Sequence, residues 1–333
     1  MAVDKYNQSV FLVLKVAYLY YIENKQQNEI ANELGISITT VSRLLTKAKE
    51  DKIVEFVIRD PYIECIHLEE QLKEQFHLKD VIIAPAISTQ GDDESEVAID
   101  NAKKLVALEG ARYLQRVIKE DDVLGITWGS TVYQMINYLN PSQKIDADFV
   151  TLHGSIACCE NELDVRTLVS RMAKAFFGEN HYLLTDALMS SKNAVEIMKQ
   201  ERNNQKVFQM FDQITISITG IGSFYPTPES VLSNPEFLSS EDLKALQREH
   251  VAGDIALRFF DLDGNECKTD LVDRMISISF EQLKKIPTKI TVASGSNKVN
   301  AVYSALKGNL IDVLIIDYKL AEAIIKMNSG ELQ

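Results

Sequence analysis

Two groups of side chains in this sequence have the types and spacing to do chemistry. The first is the segment SITTVSRLLTKAKE at 37–50. Val41, Leu44, Leu45 and Ala48 recur at helical spacing, so one face of a helix turns inward and leaves Ser37, Thr39, Thr40, Ser42, Arg43, Thr46 and Lys47 on the other. That outer face is small, hydroxylated and basic, and no acid falls between Ile38 and Lys49. Such a set suits the major groove of double-stranded DNA. Ser and Thr reach phosphates or base edges, the Thr methyl meets a thymine methyl, and Arg43 reaches guanine or phosphate. A basic helix face alone more often is simply solvated, so the elements that carry it decide the reading.

The second group is four loops rich in glycine and hydroxyls. They are Thr127-Trp128-Gly129-Ser130-Thr131, His153-Gly154-Ser155, Gly220-Ile221-Gly222-Ser223 and Ser294-Gly295-Ser296-Asn297-Lys298. Each follows an apolar run, and the first and last lead into helical patterns, so backbone N–H groups and a helix N-terminus can face an anion. Lys298 adds a full positive charge. One such loop alone is usually no more than a tight strand-to-helix turn. Four at the same edge of one sheet point to a phosphate pocket. Asp254 and Arg274, taken alone, read as solvated charges or a structural ion pair.

Metal and covalent chemistry find little support. The five histidines and four cysteines never adopt a metal-ligand spacing with one another, so no zinc or iron site is expected. Cys158 and Cys159 are adjacent, a poor geometry for a structural disulfide, and Cys65 and Cys267 are isolated. All four read as reduced thiols, and no cofactor or catalytic residue is expected.

The elements that must position the first group precede it. Val10, Phe11, Leu14, Ala17, Tyr18 and Tyr21 recur at three and four residue steps and predict a helix that buries this set. A second helix is expected from about Gln26 to Leu34, with Ile30, Ala31 and Leu34 inward. Gly35 stops it by taking the left-handed conformation of a tight turn, and Ser37 caps the third helix. Ala31, Gly35 and Val41 then stand in the relation of a helix-turn-helix: a small crossing residue, a permissive turn and an apolar anchor. After it, Val54, Phe56 and Ile58 alternate with polar residues and predict a strand or wing, broken at Asp60-Pro61. Ile63, Ile66, Leu68, Leu72 and Phe76 predict a connecting helix that pairs with its copy in a dimer.

From Val81 onward apolar runs alternate with helical patterns: VIIAP, a helix from about Glu94 to Ile118, VLGIT, a helix from Thr131, FVTL, and a helix from about Leu163 to Phe177. This alternation predicts an α/β fold with a largely parallel sheet, whose ligands sit beyond the carboxyl ends of the strands. The second group of residues falls at those ends. The expected organisation is a DNA-binding domain at 1–59, a linker helix at 60–78, and an effector-binding and oligomerisation domain at 79–333.

Size and charge agree with this division. A chain of 333 residues, 46% hydrophobic and 25% charged, is long enough for two globular domains. No apolar run spans a bilayer, and MAVDKYNQSV lacks the basic start and apolar stretch of a signal peptide. A cytoplasmic protein without a membrane partner is therefore expected. The net charge of −13 looks wrong for a DNA-binding chain until it is divided. Residues 1–59 hold eight Lys or Arg against seven Asp or Glu, and the remainder 27 against 41. The acidity belongs to the second part, and only the field at the groove matters.

Several blocks together resemble the SorC family of sugar-responsive bacterial transcriptional regulators, and its deoxyribonucleoside-regulator branch most of all. They are QNEIANELGISITTVSRLLTKAKEDKIVEF, LKDVIIAP, GITWGST, AGDIALRFFDLDG, RMISISFEQLKKIP, and SGSNKVNAVYSALKG followed by VLIIDYKLAEAII. They span nearly the whole chain in order. The resemblance implies a helix-turn-helix domain followed by a Rossmann-like sensing domain of the sugar-phosphate-isomerase type. It implies a regulator, most simply a repressor, that forms dimers or tetramers, binds operator DNA and responds to a phosphorylated sugar. It also implies that Asp254, in the GD motif, accepts a sugar hydroxyl, and it points Arg274 toward the pocket. Two departures stand out. Gln26 replaces the usual serine cap of the second helix, which suggests Asn24 as the cap instead. The loop after FVTL, which normally carries two glycines, reads His153-Gly154-Ser155, with His153 expected in the pocket wall. The rival reading is an isomerase-type enzyme with an appended DNA-binding end, Asp254 and Lys298 moving protons.

Overall fold

In a computed structural model of the chain, residues 8–54, 62–86, 96–156 and 162–331 are described. The chain divides into two compact units, Met1–Asp60 and Pro61–Gln333.

Among its described residues the first unit holds three helices, α1 (Gln8–Tyr21), α2 (Gln27–Leu34) and α3 (Ile38–Glu50). Gly35 ends α2 at φ +64°, where a side chain would be strained. Ser37 caps α3, its hydroxyl accepting the Thr40 N–H at 3.1 Å. Val16, Leu19, Ile30, Ala31, Val41 and Leu45 form the core, with Val13, Ala17 and Ala48 beside them. The anchors Ala31 and Val41 thus meet as the sequence predicts.

Two details differ from expectation. Of the apolar residues assigned to the buried face of α1, Val10, Phe11, Leu14 and Tyr18 lie exposed, and the chain buries Val13, Val16 and Leu19 instead. QSVFLVLKVAYLYY is apolar almost all round, so periodicity could not choose a face; packing of α1 on α3 does so. Nor does Asn24 cap α2. It sits at φ +53°, after the end of α1, and the carboxylate of Glu29 accepts the Gln26 N–H at 2.9 Å. Of the predicted wing, Val54 bonds back to Ala48 O at 3.0 Å. Phe56, Ile58 and the Asp60-Pro61 break lie outside the described residues.

The second unit opens with α4 (Ile63–Phe76), β1 (Asp80–Ala84), α5 (Glu96–Val117), β2 (Val123–Ile126), α6 (Ser130–Asn137), β3 (Asp148–Thr151), α7 (Val165–Phe176) and β4 (Glu179–His181). It continues through α8 (Lys192–Gln200), α9 (Arg202–Met210), β5 (Ile216–Thr219), β6 (Gly222–Ser223), α10 (Ser240–Arg248), β7 (Val251–Ile255) and β8 (Arg258–Asp261). It ends with α11 (Asp270–Asp273), α12 (Phe280–Lys285), β9 (Thr288–Ala293), α13 (Val299–Lys307), β10 (Val313–Asp317) and α14 (Tyr318–Asn328).

Seven strands form a wholly parallel sheet in the order β1-β10-β9-β5-β2-β3-β4. Its central strands are buried almost along their length because helices cover both faces. Side chains from α5, α6 and α7 build the core on one face, and those from α4, α9, α12, α13 and α14 the core on the other. A small antiparallel sheet, β6-β7-β8, carries a satellite core around Phe224, Leu232, Phe237 and Phe259.

The helix expected to be a connector belongs by its contacts to this unit. Cys65 and Leu72 of α4 are buried, with Leu68 and Phe76 beside them, in the core that α4 shares with β1 and α14. Glu69 accepts the Ile83 N–H at 2.8 Å, so α4 also shields a backbone donor of the edge strand β1.

Candidate functional site

The chain leaves β2 for β3 on one side of the sheet, while β5 lies on the other side of β2. Connections therefore diverge between β2 and β5, and the carboxyl ends of these strands frame a crevice. Two hydrogen bonds hold its floor: Thr127 N–H to Ile218 O at 3.2 Å, and Gly220 N–H to the Thr127 hydroxyl at 3.3 Å. Above them opens a cavity of about 350 Å³.

Nine of the residues expected to bind an effector line this cavity: Trp128, Gly129, Ser130, Thr131, Gly220, Gly222, Ser223, Asp254 and Lys298. Sequence reasoning missed Glu229, Ser230 and Val231, which come from the segment between β6 and α10. The run PTPES shows that this segment turns, but nothing in its pattern returns it over the edge of the sheet. Asn297 also lines the cavity, and it hydrogen-bonds the carboxylate of Glu229.

Six expected residues stand elsewhere. Gly295 turns the chain at φ +102° and gives its N–H to Asp317 at 2.7 Å, while Ser296 faces solvent. Arg274 forms an ion pair with Asp242, which caps α10, so its structural reading prevails over a pocket role. His153, Gly154 and Ser155 are buried behind the cavity wall. Gly154 is needed there, since a Cβ would stand 2.6 Å from Asp186 O. The imidazole of His153 is wholly buried and accepts the Trp128 N–H on Nε2 at 3.1 Å. Burial holds it neutral, with a pKa of about 4.

The cavity's charge centres on Asp254 and Lys298. Burial pushes the Asp254 carboxyl up to about 7, against the Leu257 N–H, the Lys298 charge and the Ser230 hydroxyl, all of which favour the carboxylate. Gly222 makes room for this arrangement: a Cβ there would fall 2.0 Å from Asp254 Oδ1 and 2.7 Å from Ser230 Oγ. Burial and repulsion by Lys103 bring the Lys298 amine down to about 8, opposed by Asp254, Asp317 and Glu229. Its Nζ donates to Ile221 O at 2.9 Å. The arrangement offers an anion the Lys298 ammonium and the first turns of α6 and of the segment entering α13, and offers hydroxyl groups the Asp254 carboxyl as acceptor.

On the first unit, Ser37, Thr39, Ser42, Arg43, Thr46 and Lys47 are exposed on α3. Thr40 is half-buried, its hydroxyl 2.8 Å from that of Ser37. Among the described residues no cluster of His, Cys, Asp or Glu could hold a metal ion, and no helix is long and apolar enough to cross a membrane.

An exposed basic helix in the first unit, and in the second a parallel α/β fold with a cavity at its switch point, are the parts of a transcriptional regulator. Comparison with known proteins carries this further. The family described as "Putative sugar-binding domain" matches residues 60–326, and that of bacterial regulatory proteins of the crp family matches residues 27–54. The chain is 30% identical over 314 residues to the deoxyribonucleoside regulator of Bacillus subtilis, covering 94% of this chain and 97% of that protein. It is 29% identical to the sorbitol operon regulator of Klebsiella pneumoniae over 96% of this chain and 99% of that one. The crystal structure of that full-length regulator, SorC, superposes with a TM-score of 0.73. A DeoR family transcriptional regulator from Listeria monocytogenes, 28% identical, covers 78% of this chain and 99% of its own with a TM-score of 0.69. The chain belongs to the SorC family of transcriptional regulators with a sugar-binding domain, and it is a regulator rather than an enzyme.

Proposed function

We propose that the chain is a repressor of a carbohydrate or nucleoside catabolic operon, released from its operator by a phosphorylated sugar bound in the cavity between β2 and β5. The observation that carries this reading is the convergence of Lys298, Asp254 and the first turn of α6 on one cavity. The phosphate lies toward Lys298 and the loop 128–131, and Asp254 accepts a hydroxyl of the sugar. The name of the deoxyribonucleoside regulator, the relative at 30% identity, supports a sugar derived from nucleosides as the first to test.

The exposed residues of α3 read the operator. A unit this small, nearly neutral overall, binds DNA weakly alone, so the active form is a dimer or tetramer that holds two such units at the spacing of two half-sites. The reading places DNA binding in residues 1–59, and sensing and assembly in the rest, with α4 joining the sensing domain. It works in the cytoplasm. A panel of sugar phosphates tested by thermal shift decides the sensing claim. At least one should raise the melting temperature of the full chain and fail to raise that of Lys298→Ala; if none does, the claim falls.

A further inference from the structure

We infer that His153 is a positioning residue: its imidazole clamps the backbone of Trp128 and so fixes the loop 128–131 in the shape that receives the effector. The inference rests on the proposed cavity for its functional consequence and on hydrogen-bond geometry for its structural one.

The protonation pattern of the ring follows from its partners. The Trp128 N–H can only donate, so Nε2, 3.1 Å away, carries the lone pair. The proton then resides on Nδ1, which donates to Gly154 O at 2.6 Å. Both ring nitrogens are engaged, and the side chain is 0% exposed. The ring cannot turn without leaving a buried polar group unpaired.

His153 is itself held from behind. Gly154 N–H donates to Ile276 O at 3.0 Å and Ile278 N–H to Leu152 O at 2.7 Å, so the exit of β3 is stitched to the segment 276–278. The buried Arg258 guanidinium donates to the carbonyls of Ser277 and Ile278, which braces that segment from β8. On the other side of the clamp, Trp128 precedes Gly129, at φ +147°, whose carbonyl accepts the Tyr133 N–H at 2.8 Å in the first turn of α6. One imidazole thus joins a braced scaffold to a loop with a glycine in its middle. Fixing Trp128 fixes the direction in which the first N–H groups of α6 point, and Gly129, Ser130 and Thr131, at that helix start, line the cavity.

Trp128 is the sole tryptophan of the chain, so intrinsic fluorescence reads this loop directly. The test compares the full-length protein with His153→Leu, which keeps the volume and removes the acceptor, and His153→Gln, whose Oε1 can take the place of Nε2. Acrylamide quenching of Trp128 should increase at least two-fold in His153→Leu and return to the wild-type value in His153→Gln. Affinity for the sugar phosphate that stabilises the wild type should fall at least ten-fold in the first variant and recover in the second. Unchanged quenching in a folded His153→Leu, or no recovery in His153→Gln, overturns the clamp. If His153→Leu fails to fold, ¹⁵N spectra of histidine-labelled wild-type protein decide: the buried ring must carry its proton on Nδ1, and a proton on Nε2 refutes the assignment. If no sugar phosphate binds the wild type, the proposed effector is wrong, and quenching still judges the clamp.

Discussion

Asp254 and Lys298 line one cavity and pull each other toward the charged state while burial pushes both toward neutrality, one to about 7 and the other to about 8. Between these values the carboxylate and the ammonium coexist. A sugar phosphate that donates a hydroxyl hydrogen bond to the Asp254 carboxylate and sets its phosphate against the Lys298 ammonium should therefore bind most tightly near pH 7 to 8. Affinity should weaken as pH falls through about 7, when Asp254 takes up a proton, and again as it rises through about 8, when Lys298 loses one. Calorimetric titration from pH 6 to 9 checks this. A flat profile removes the pair from ligand recognition.

Gly222→Ala should damage the site without emptying the core. The new methyl would meet Asp254 Oδ1 at 2.0 Å, so the carboxylate must swing off Ser230. A carboxylate turned out of place no longer accepts the sugar hydroxyl, and losing that charged hydrogen bond from the complex predicts a fall in effector affinity of about ten-fold to a hundred-fold. Equilibrium binding to the best sugar phosphate, with circular dichroism as the control for folding, measures it.

Much of this site was legible in the sequence, and the failures have physical causes. Glycine-rich and hydroxyl-rich loops after apolar runs identify the carboxyl edge of a parallel sheet because such turns need small residues there. They do not say which loop faces the cavity. His153-Gly154-Ser155 ends a strand adjacent to β2 yet packs inward, because Gly154 must pass within contact distance of Asp186 O. Arg274 carries the right charge but meets Asp242 first. Glu229 and Ser230 belong to a segment whose path is set by burial of its own Leu232 and Phe237 in the satellite core, a long-range property with no local period. In the first unit, Ala31, Gly35 and Val41 sufficed for the turn, while α1 gave its face away only on packing, since both of its sides are apolar.

The buried His153 also predicts a pH dependence of stability. Its folded-state pKa lies near 4, below its ordinary value of 6.5, so the unfolded chain takes up the proton first. The contribution is whole above pH 6.5 and is lost as pH falls toward 4, to a total of about 3 kcal/mol. Urea midpoints of the wild type and His153→Gln should therefore converge or cross between pH 6.5 and 4.5. Parallel curves contradict the assignment.

Arg43 and Lys47 are both exposed on α3, and they should fail differently. If Arg43 reads a base edge, Arg43→Ala should cost about 1 to 3 kcal/mol on the operator and relax specificity at one position. Lys47→Ala, removing a phosphate contact, should weaken all sequences alike and flatten the salt dependence by about one ion. Binding isotherms on operator and unrelated DNA at three salt concentrations separate the two.

In the proposed mechanism, occupancy of the cavity controls the grip of α3 on DNA. The direct measurement is the affinity of the full-length protein for an operator fragment selected from random-sequence DNA, titrated with the sugar phosphate that raises its melting temperature. Saturating sugar should lower operator affinity by about 5-fold to 150-fold, Lys298→Ala should not respond, and operator DNA should weaken sugar binding by the same factor. Operator affinity unchanged at saturating sugar would contradict it.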